Sequence, residues 1–201
     1  MINDFLIINC TGINDTIALK INNKFFLKKL QTNIVKYEEL SMQVLNFIKE
    51  HDVKIDQKFS ILVNSGPGSF SGIRIALATT KGIQLVKKLS IYSYNNFLLN
   101  AAPHLKNKKL ISIQKTNKFY YFLQISFNKQ YDFTAPKRLD SDYLQQNNCL
   151  VIVPEEIKHD EIFTNIDKKK VRIVKFDLKN VNILVEKNLL GNELIKPLYL
   201  S

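Results

Sequence analysis

The chain contains no tryptophan, two cysteines, two methionines and three histidines among its 201 residues. Cys10 and Cys149 are too few for a disulfide framework, and their spacing matches no metal or redox motif. Two buried thiols in a reducing cytoplasm are the expectation. His51, His104 and His159 are scattered among polar residues, with no cysteine–carboxylate cluster to make a metal site, and are expected at the surface. No apolar run approaches the roughly 20 residues that span a bilayer. The N-terminus has neither a basic region nor a small-residue cleavage site around Phe5–Ile8. No membrane segment and no signal peptide are therefore expected, and the expected location is cytoplasmic. Acidic residues are outnumbered 29 to 18, for a net charge of +11. That balance favours an anionic partner such as nucleic acid. The lysines are spread out except near 106–109 and 168–170, so a general compositional bias accounts for the charge better than a nucleic-acid partner does.

The hydrophobic pattern sets the organisation. Phe5–Asn9 reads as a buried strand and Thr16–Ile21 as a second. Asn22-Asn23 is a two-residue turn, because asparagine tolerates positive φ, and leads into a third strand at Phe25–Lys28. From Ile34 to Lys49 the period changes: Tyr37, Leu40, Val44, Phe47 and Ile48 recur at three and four, which predicts a helix. Phe59–Val63 is a strand, 71–88 a helix, Ser90–Tyr92 a strand and Asn95–Ala102 a short helix. The second half repeats this grammar. Strands are predicted at Lys109–Ile113, Phe119–Phe127, Cys149–Val153 and Val171–Phe176, and helices at Asp140–Gln146 and Val181–Leu190, the last closed by Gly191. The duplication predicts an α/β protein of two related lobes with mixed sheets, residues 1–100 and 101–201.

Glycine is scarce, with six in the chain, yet three fall in Ser65-Gly66-Pro67-Gly68-Ser69-Phe70-Ser71-Gly72. Gly66 and Gly68 permit backbone angles other residues resist, Ser69 or Ser71 is placed to cap a helix, and Gly72 sits where a Cβ would crowd a neighbour. Such a turn at a helix start is able to hold a phosphate, but it has neither the Gly-Lys pair of a P-loop nor the dinucleotide spacing. A tight strand-to-helix corner explains Gly66, Pro67, Gly68, Ser69 and Gly72 without a ligand. The helix that follows is more telling. At about 100° per residue, Ile75, Ala76, Ala78, Gly82, Ile83, Leu85 and Val86 cover most of its circumference. Arg74, Lys81, Gln84 and Lys88 form a narrow polar wedge, interrupted by Leu77. Two readings are open: a helix buried wholly in its own domain, or an apolar strip offered to a partner.

The segment GPGSFSGIR, followed by a small-residue helix ending in TTKG, resembles the TsaB (YeaZ) family. The opening LIINCTGINDTIAL and the closing IKPLYLS are similar to the family's first strand pair and terminal P-x-Y-L. The resemblance implies an actin-like, RNase-H-like two-lobed fold with mixed five-stranded-type sheets flanked by helices. It implies a non-catalytic subunit that binds the catalytic subunit TsaD and, with the ATPase TsaE, supports threonylcarbamoylation of adenosine 37 in tRNAs reading ANN codons. On that reading the chain binds no cofactor or metal alone, the complex uses ATP, tRNA is reached through the complex, and a homodimer forms when TsaD is absent. The family's pairing surface is carried by the first two helices. Mapped here it takes Tyr37, Leu40 and Val44 from the first and Ile73, Arg74, Leu77, Ala78, Lys81, Gly82 and Leu85 from the second.

The departures from the family pattern point the same way. Asn9 stands where the first strand usually ends in Asp, Ile113-Gln114-Lys115-Thr116 replaces an IDAR-like segment, and no H-x-x-x-H pair occurs. The alternative, a stand-alone actin-like nucleotide-binding protein or ATPase, would want carboxylates at Asn9 and Gln114. A third reading takes Arg74, Lys81 and Lys88, seven residues apart, as a direct tRNA contact; solvated side chains on an exposed helix face explain them better.

Overall fold

In a computed structural model the described residues are 2–12, 14–30, 39–164, 166–192 and 196–200, with the side chain of Ser141 excepted. The chain divides into two compact units, one of residues up to 95 together with 188–199, the other of 96–187. The first boundary falls between residues 95 and 96. The C-terminal segment groups with the first unit, because its backbone bonds there.

The first unit is built on a five-stranded sheet. β1 (Phe5–Asn9), β2 (Thr16–Ile21) and β3 (Lys24–Lys29) form an antiparallel meander, and β4 (Ser60–Asn64) and β5 (Ser90–Tyr94) add in parallel on the far side of β1, in the order β3-β2-β1-β4-β5. β1 and β4 are buried at every position, which is why they read as continuous apolar runs rather than alternating ones. Asn22 and Asn23 take φ of 47° and 64° at the β2–β3 turn, as their side chains allow. α1 (Leu40–Glu50) and α2 (Phe70–Lys87) share one core with Leu6, Ile8, Ile17, Leu19, Ile61 and Val63, so both cover the same face of the sheet. The part of the first helix expected at 34–38, including Tyr37, lies outside the described residues.

The second unit repeats the plan. β6 (Lys109–Thr116), β7 (Phe119–Asn128) and β8 (Gln130–Phe133) form an antiparallel meander, and β10 (Leu150–Pro154) and β11 (Val171–Val174) add in parallel beyond β6. The two-residue β9 (Lys137–Arg138) pairs with β7 off this path and makes the sheet six-stranded. α3 (Asn96–Ala101), α4 (Ser141–Gln146) and α5 (Val181–Glu186) complete the unit. Between β10 and β11, where the first unit carries α2, the described residues of the second form only short 3₁₀ turns. The duplicated two-lobed reading is thus borne out, with two mixed sheets flanked by helices.

Several boundaries differ from the sequence expectations. β8 and β9 were not anticipated: each is too short to show a period. The final helix stops at Glu186 instead of Leu190, because Asn188 turns to φ 54°. Gly191 does not cap that helix; it exchanges backbone hydrogen bonds with Ser93.

Candidate functional site

The glycine corner is a tightly bonded junction of two turns. Ser69 caps α2, its Oγ accepting from the Gly72 N–H at 3.2 Å, and its own N–H donates to the Thr11 carbonyl at 2.8 Å. Gly66 has φ +112°, and a Cβ there would fall 2.9 Å from Ile73 Cδ1 and 3.1 Å from the Leu198 carbonyl. A Cβ at Gly68 would meet the backbone of Thr11. Pro67 follows a cis bond and is buried. Gly66 and Gly68 are therefore required by close approaches, of Ile73 and the C-terminal segment at the first and of the β1–β2 turn at the second.

Two side-chain amides, those of Asn9 and Asn64, tie the same corner together. Asn64 Nδ2 donates to Asn9 Oδ1 at 2.6 Å, Asn9 Nδ2 to the Asn14 carbonyl at 2.8 Å, and the Gly66 N–H to Asn64 Oδ1 at 2.9 Å. The Gly12 N–H donates to Asp15 Oδ1 at 2.7 Å. A phosphate at a helix start needs free backbone N–H groups, and those of Gly12, Gly66, Ser69 and Gly72 are already bonded to protein. The geometry supports the structural corner over the anion cradle. Surface hollows of about 480 and 400 Å³ are lined by residues such as Leu144 and Lys170 or Asp4 and Lys58, none of which belongs to the corner.

The other chemistry-bearing residues are similarly occupied. Gln114 Nε2 donates to the Asn96 carbonyl at 3.4 Å. Lys115 Nζ and the Tyr120 hydroxyl both bond Asp160, at 2.8 and 2.7 Å, and hold its carboxyl below the usual carboxylate range, Lys115 acting most strongly. Cys10 and Cys149 are free and buried, as expected. Burial, reinforced for Cys10 by the Asp15 charge, pushes that thiol far up, so it stays protonated and unreactive. The histidines depart from a purely surface placement. His51 is half-buried against Phe26 and Phe47, with ring centroids at 4.2 and 4.8 Å, and His104 is half-buried, whereas His159 is exposed. Among the described residues no group of three or more His, Cys, Asp or Glu is placed to hold a metal ion, and no helix is long and apolar enough to cross a membrane.

The ten residues expected at a partner surface separate into distinct sets. Leu40, Val44, Ile73 and Leu77 are buried in the core of their own unit; the same periodicity that reveals an amphipathic helix selects the residues facing inward. Arg74, Ala78, Lys81, Gly82 and Leu85 lie together on the exposed side of α2, spanning about 100° of the circle. Tyr37 lies outside the described residues. The structure adds apolar residues that the pattern did not single out, Met42 and Leu45 on the outer side of α1 and Phe70 on α2, and it leaves Val86 of the apolar strip exposed beside Leu85. Leu85 is 81% and Val86 78% exposed. Nothing lies within 4 Å of a Cβ built at Gly82. Because α1 and α2 cover the same sheet face, both outer faces point away from that sheet. Phe70 stacks on Tyr199 with centroids 5.0 Å apart, and the Arg74 guanidinium lies 5.1 Å from the Phe70 ring. The two most recognisable sequence segments, the glycine motif and the Pro197-Leu198-Tyr199 ending, therefore meet in space.

No protein-family model matches the chain. The tRNA threonylcarbamoyladenosine biosynthesis protein TsaB of Buchnera aphidicola subsp. Baizongia pistaciae is 32% identical over 115 residues, covering 53% of this chain and 50% of that protein. The chain thus spans about half the length of the curated relative it matches. Among solved structures, YeaZ from Pseudomonas aeruginosa superposes with a TM-score of 0.70 at 12% identity, covering 98% of this chain and 100% of that one. An uncharacterized Pseudomonas aeruginosa protein described as similar to peptidase YeaZ gives the same TM-score and identity, with 99% and 100% covered. At that identity the structural likeness establishes the fold, which is the actin-like one. Sequence over half the chain and fold over nearly all of it thus bear out the resemblance to the TsaB/YeaZ family.

Proposed function

We propose that this chain is a non-catalytic subunit in the formation of threonylcarbamoyladenosine on tRNA, and that it acts by binding and supporting a TsaD-type catalytic subunit through the outer faces of α1 and α2. The observation that carries the reading is the exposure of Leu85 and Val86, with Met42 and Leu45, on two helices whose other sides already fill a core. Leaving such side chains in water forgoes about 1.5–3 kcal/mol each relative to full burial, and a second protein recovers it. Ala78 and Gly82 let a partner helix approach closely, and Arg74 and Lys81 supply a charged rim. The relative's name supports the pathway. The bonded Asn9–Asn64 corner and the buried thiols support a role without chemistry of its own. In this reading TsaE and tRNA join through the complex, ATP is consumed there, and the chain works in the cytoplasm.

Co-expression with the TsaD of the same source, followed by light scattering, tests this. A stable heterodimer is expected. Ala78→Glu and Leu85→Asp are expected to weaken it at least about tenfold, as for a charge placed in a desolvated interface, while circular dichroism and Tm of the isolated chain stay unchanged. Ile83 is unsuitable for this purpose because it packs half-buried against the chain's own core. Wild-type association by both variants removes the interface assignment. A chain that never associates and turns over ATP alone removes the subunit reading.

A further inference from the structure

The second unit carries an aromatic ladder that the subunit role does not use. β7 and the edge strand β8 pair with Phe127 opposite Tyr131 and Ile125 opposite Phe133. Alternation therefore puts Phe127, Tyr131 and Phe133 on one face of the sheet. Their rings form a row: Phe127 and Tyr131 have centroids 4.8 Å apart, and Tyr131 and Phe133 6.5 Å apart with planes 9° from parallel. Tyr131 is half-buried and fixed by its hydroxyl, which donates to the Leu105 carbonyl at 3.2 Å. Phe127 and Phe133 are exposed. Exposed apolar side chains on an edge strand invite association, and folds ordinarily avoid them.

The surroundings of the ladder are cationic. Lys187 Nζ lies 5.6 Å from the Tyr131 ring, and the Phe127 N–H bonds the carbonyl of exposed Lys108 at 2.8 Å. Exposed Lys129 forms the turn between the two strands, and exposed Lys106 follows Leu105, whose carbonyl holds Tyr131. After burial, the charges of Arg172 and Lys106 hold the nearby His104 imidazole below its ordinary range. Of the neighbouring acids, Asp132 alternates to the opposite face, across from Ser126, and Glu186 adjoins Lys187.

We propose that this face of the second unit binds single-stranded RNA, with unpaired bases stacking on Phe127 and Phe133 and Lys106, Lys108, Lys129 and Lys187 holding the phosphates. Every base offers a π-face, so stacking tolerates sequence, and the flanking ammonium groups recognise the backbone. A duplex keeps its base faces covered and gains only the electrostatic part. A rim of lysines around aromatics fits a polyanion better than a protein core, where lysine is depleted. The inference deepens the proposed role, since the RNA would be an unpaired segment of the tRNA on which the complex acts.

The test uses the full chain, a short fluorescent single-stranded RNA and a duplex of the same length, read by anisotropy at several salt concentrations. The single strand is expected to bind at least about tenfold tighter than the duplex. Phe127→Leu with Phe133→Leu, both at exposed positions, is expected to erase that preference with Tm unchanged. Lys106→Ala with Lys129→Ala is expected to flatten the salt dependence, and Lys168→Ala with Lys169→Ala, elsewhere on the unit, to leave affinity within about twofold. Equal binding of duplex and single strand overturns the proposal. So does an unchanged affinity in the phenylalanine pair, or an equal loss from the remote lysines. A change of light-scattering mass in the phenylalanine pair without a change in RNA affinity makes the ladder a protein interface and overturns it as well. TsaD association is measured on the same variants. If RNA binding is lost while the heterodimer persists, the ladder is isolated as the RNA site; if RNA binding persists without a heterodimer, only the subunit reading fails.

Discussion

At the scale of single residues, the corner at Ser65–Gly72 shows how much backbone geometry rests on a missing side chain. Gly68 faces the Thr11 backbone, which cannot move aside as a flexible side chain would. Gly68→Ala is expected to cost about 3 kcal/mol, the upper range for ordinary single changes, as read from urea unfolding. The sequence marks this corner through glycine and proline, but the amide chain of Asn9, Asn64 and Asn14 was not legible in it. Asn9 and Asn64 are 55 residues apart and meet only because β1 and β4 lie side by side. A second residue-scale effect is His104, which burial and then Arg172 and Lys106 hold below its ordinary pKa. A histidine depressed in the folded state leaves the unfolded chain binding more protons below its ordinary value of about 6.5. Stability is therefore expected to fall as pH drops through that value and to level off once the folded imidazole also charges. Thermal melts across this range should show the slope in the wild type and lose it in His104→Asn.

At the scale of elements, α2 carries two patterns at once. Its inward side, with Ile73, Ala76, Leu77 and Thr80, fills the core, and its outward side keeps Ala78, Gly82, Leu85 and Val86 in water. Periodicity reveals that the helix is apolar around most of its circumference, but not which apolar arc the sheet takes; the neighbouring strands choose it. Leu40, Val44, Ile73 and Leu77 consequently belong to the core and not to an accessible surface. Gly82 gives a test that separates the two sides. It is mid-helix with open space around it, so Gly82→Ala is expected to stabilise the isolated chain by about 1 kcal/mol through helix propensity, measured by urea unfolding. Under the proposed partner role the larger Gly82→Leu is expected to weaken the heterodimer, read by light scattering. If both substitutions leave association at wild-type strength, no partner helix approaches at that position.

At the scale of the whole molecule, the C-terminal segment returns to the first unit. The Leu198 N–H donates to the Ser65 carbonyl at 2.7 Å, and Gly191 and Ser93 exchange backbone bonds at 2.8 and 2.9 Å. Removing residues from Gly191 onward strips partners from buried Ser65 and from Ser93. At about 1–3 kcal/mol for each unsatisfied group, the loss is expected to lower Tm by roughly 10 °C, seen by calorimetry as an early transition. A truncated chain that melts with the full one means the segment only decorates the surface.

Local chemistry fixed what lies within a few residues: the buried strands β1 and β4, the asparagine turn, a serine cap at Ser69 or Ser71, and the repeated order of meander, helix and parallel strand that announces two related lobes. Those features depend on side-chain period and on backbone angles, which the chain carries at every point. The tertiary structure alone decided which arc of α2 faces water, that the C-terminal segment closes on the glycine corner, and that Asn9 is bonded to Asn64. Each of these depends on residues distant in sequence being brought side by side, and a linear pattern holds no record of which neighbours the fold will supply.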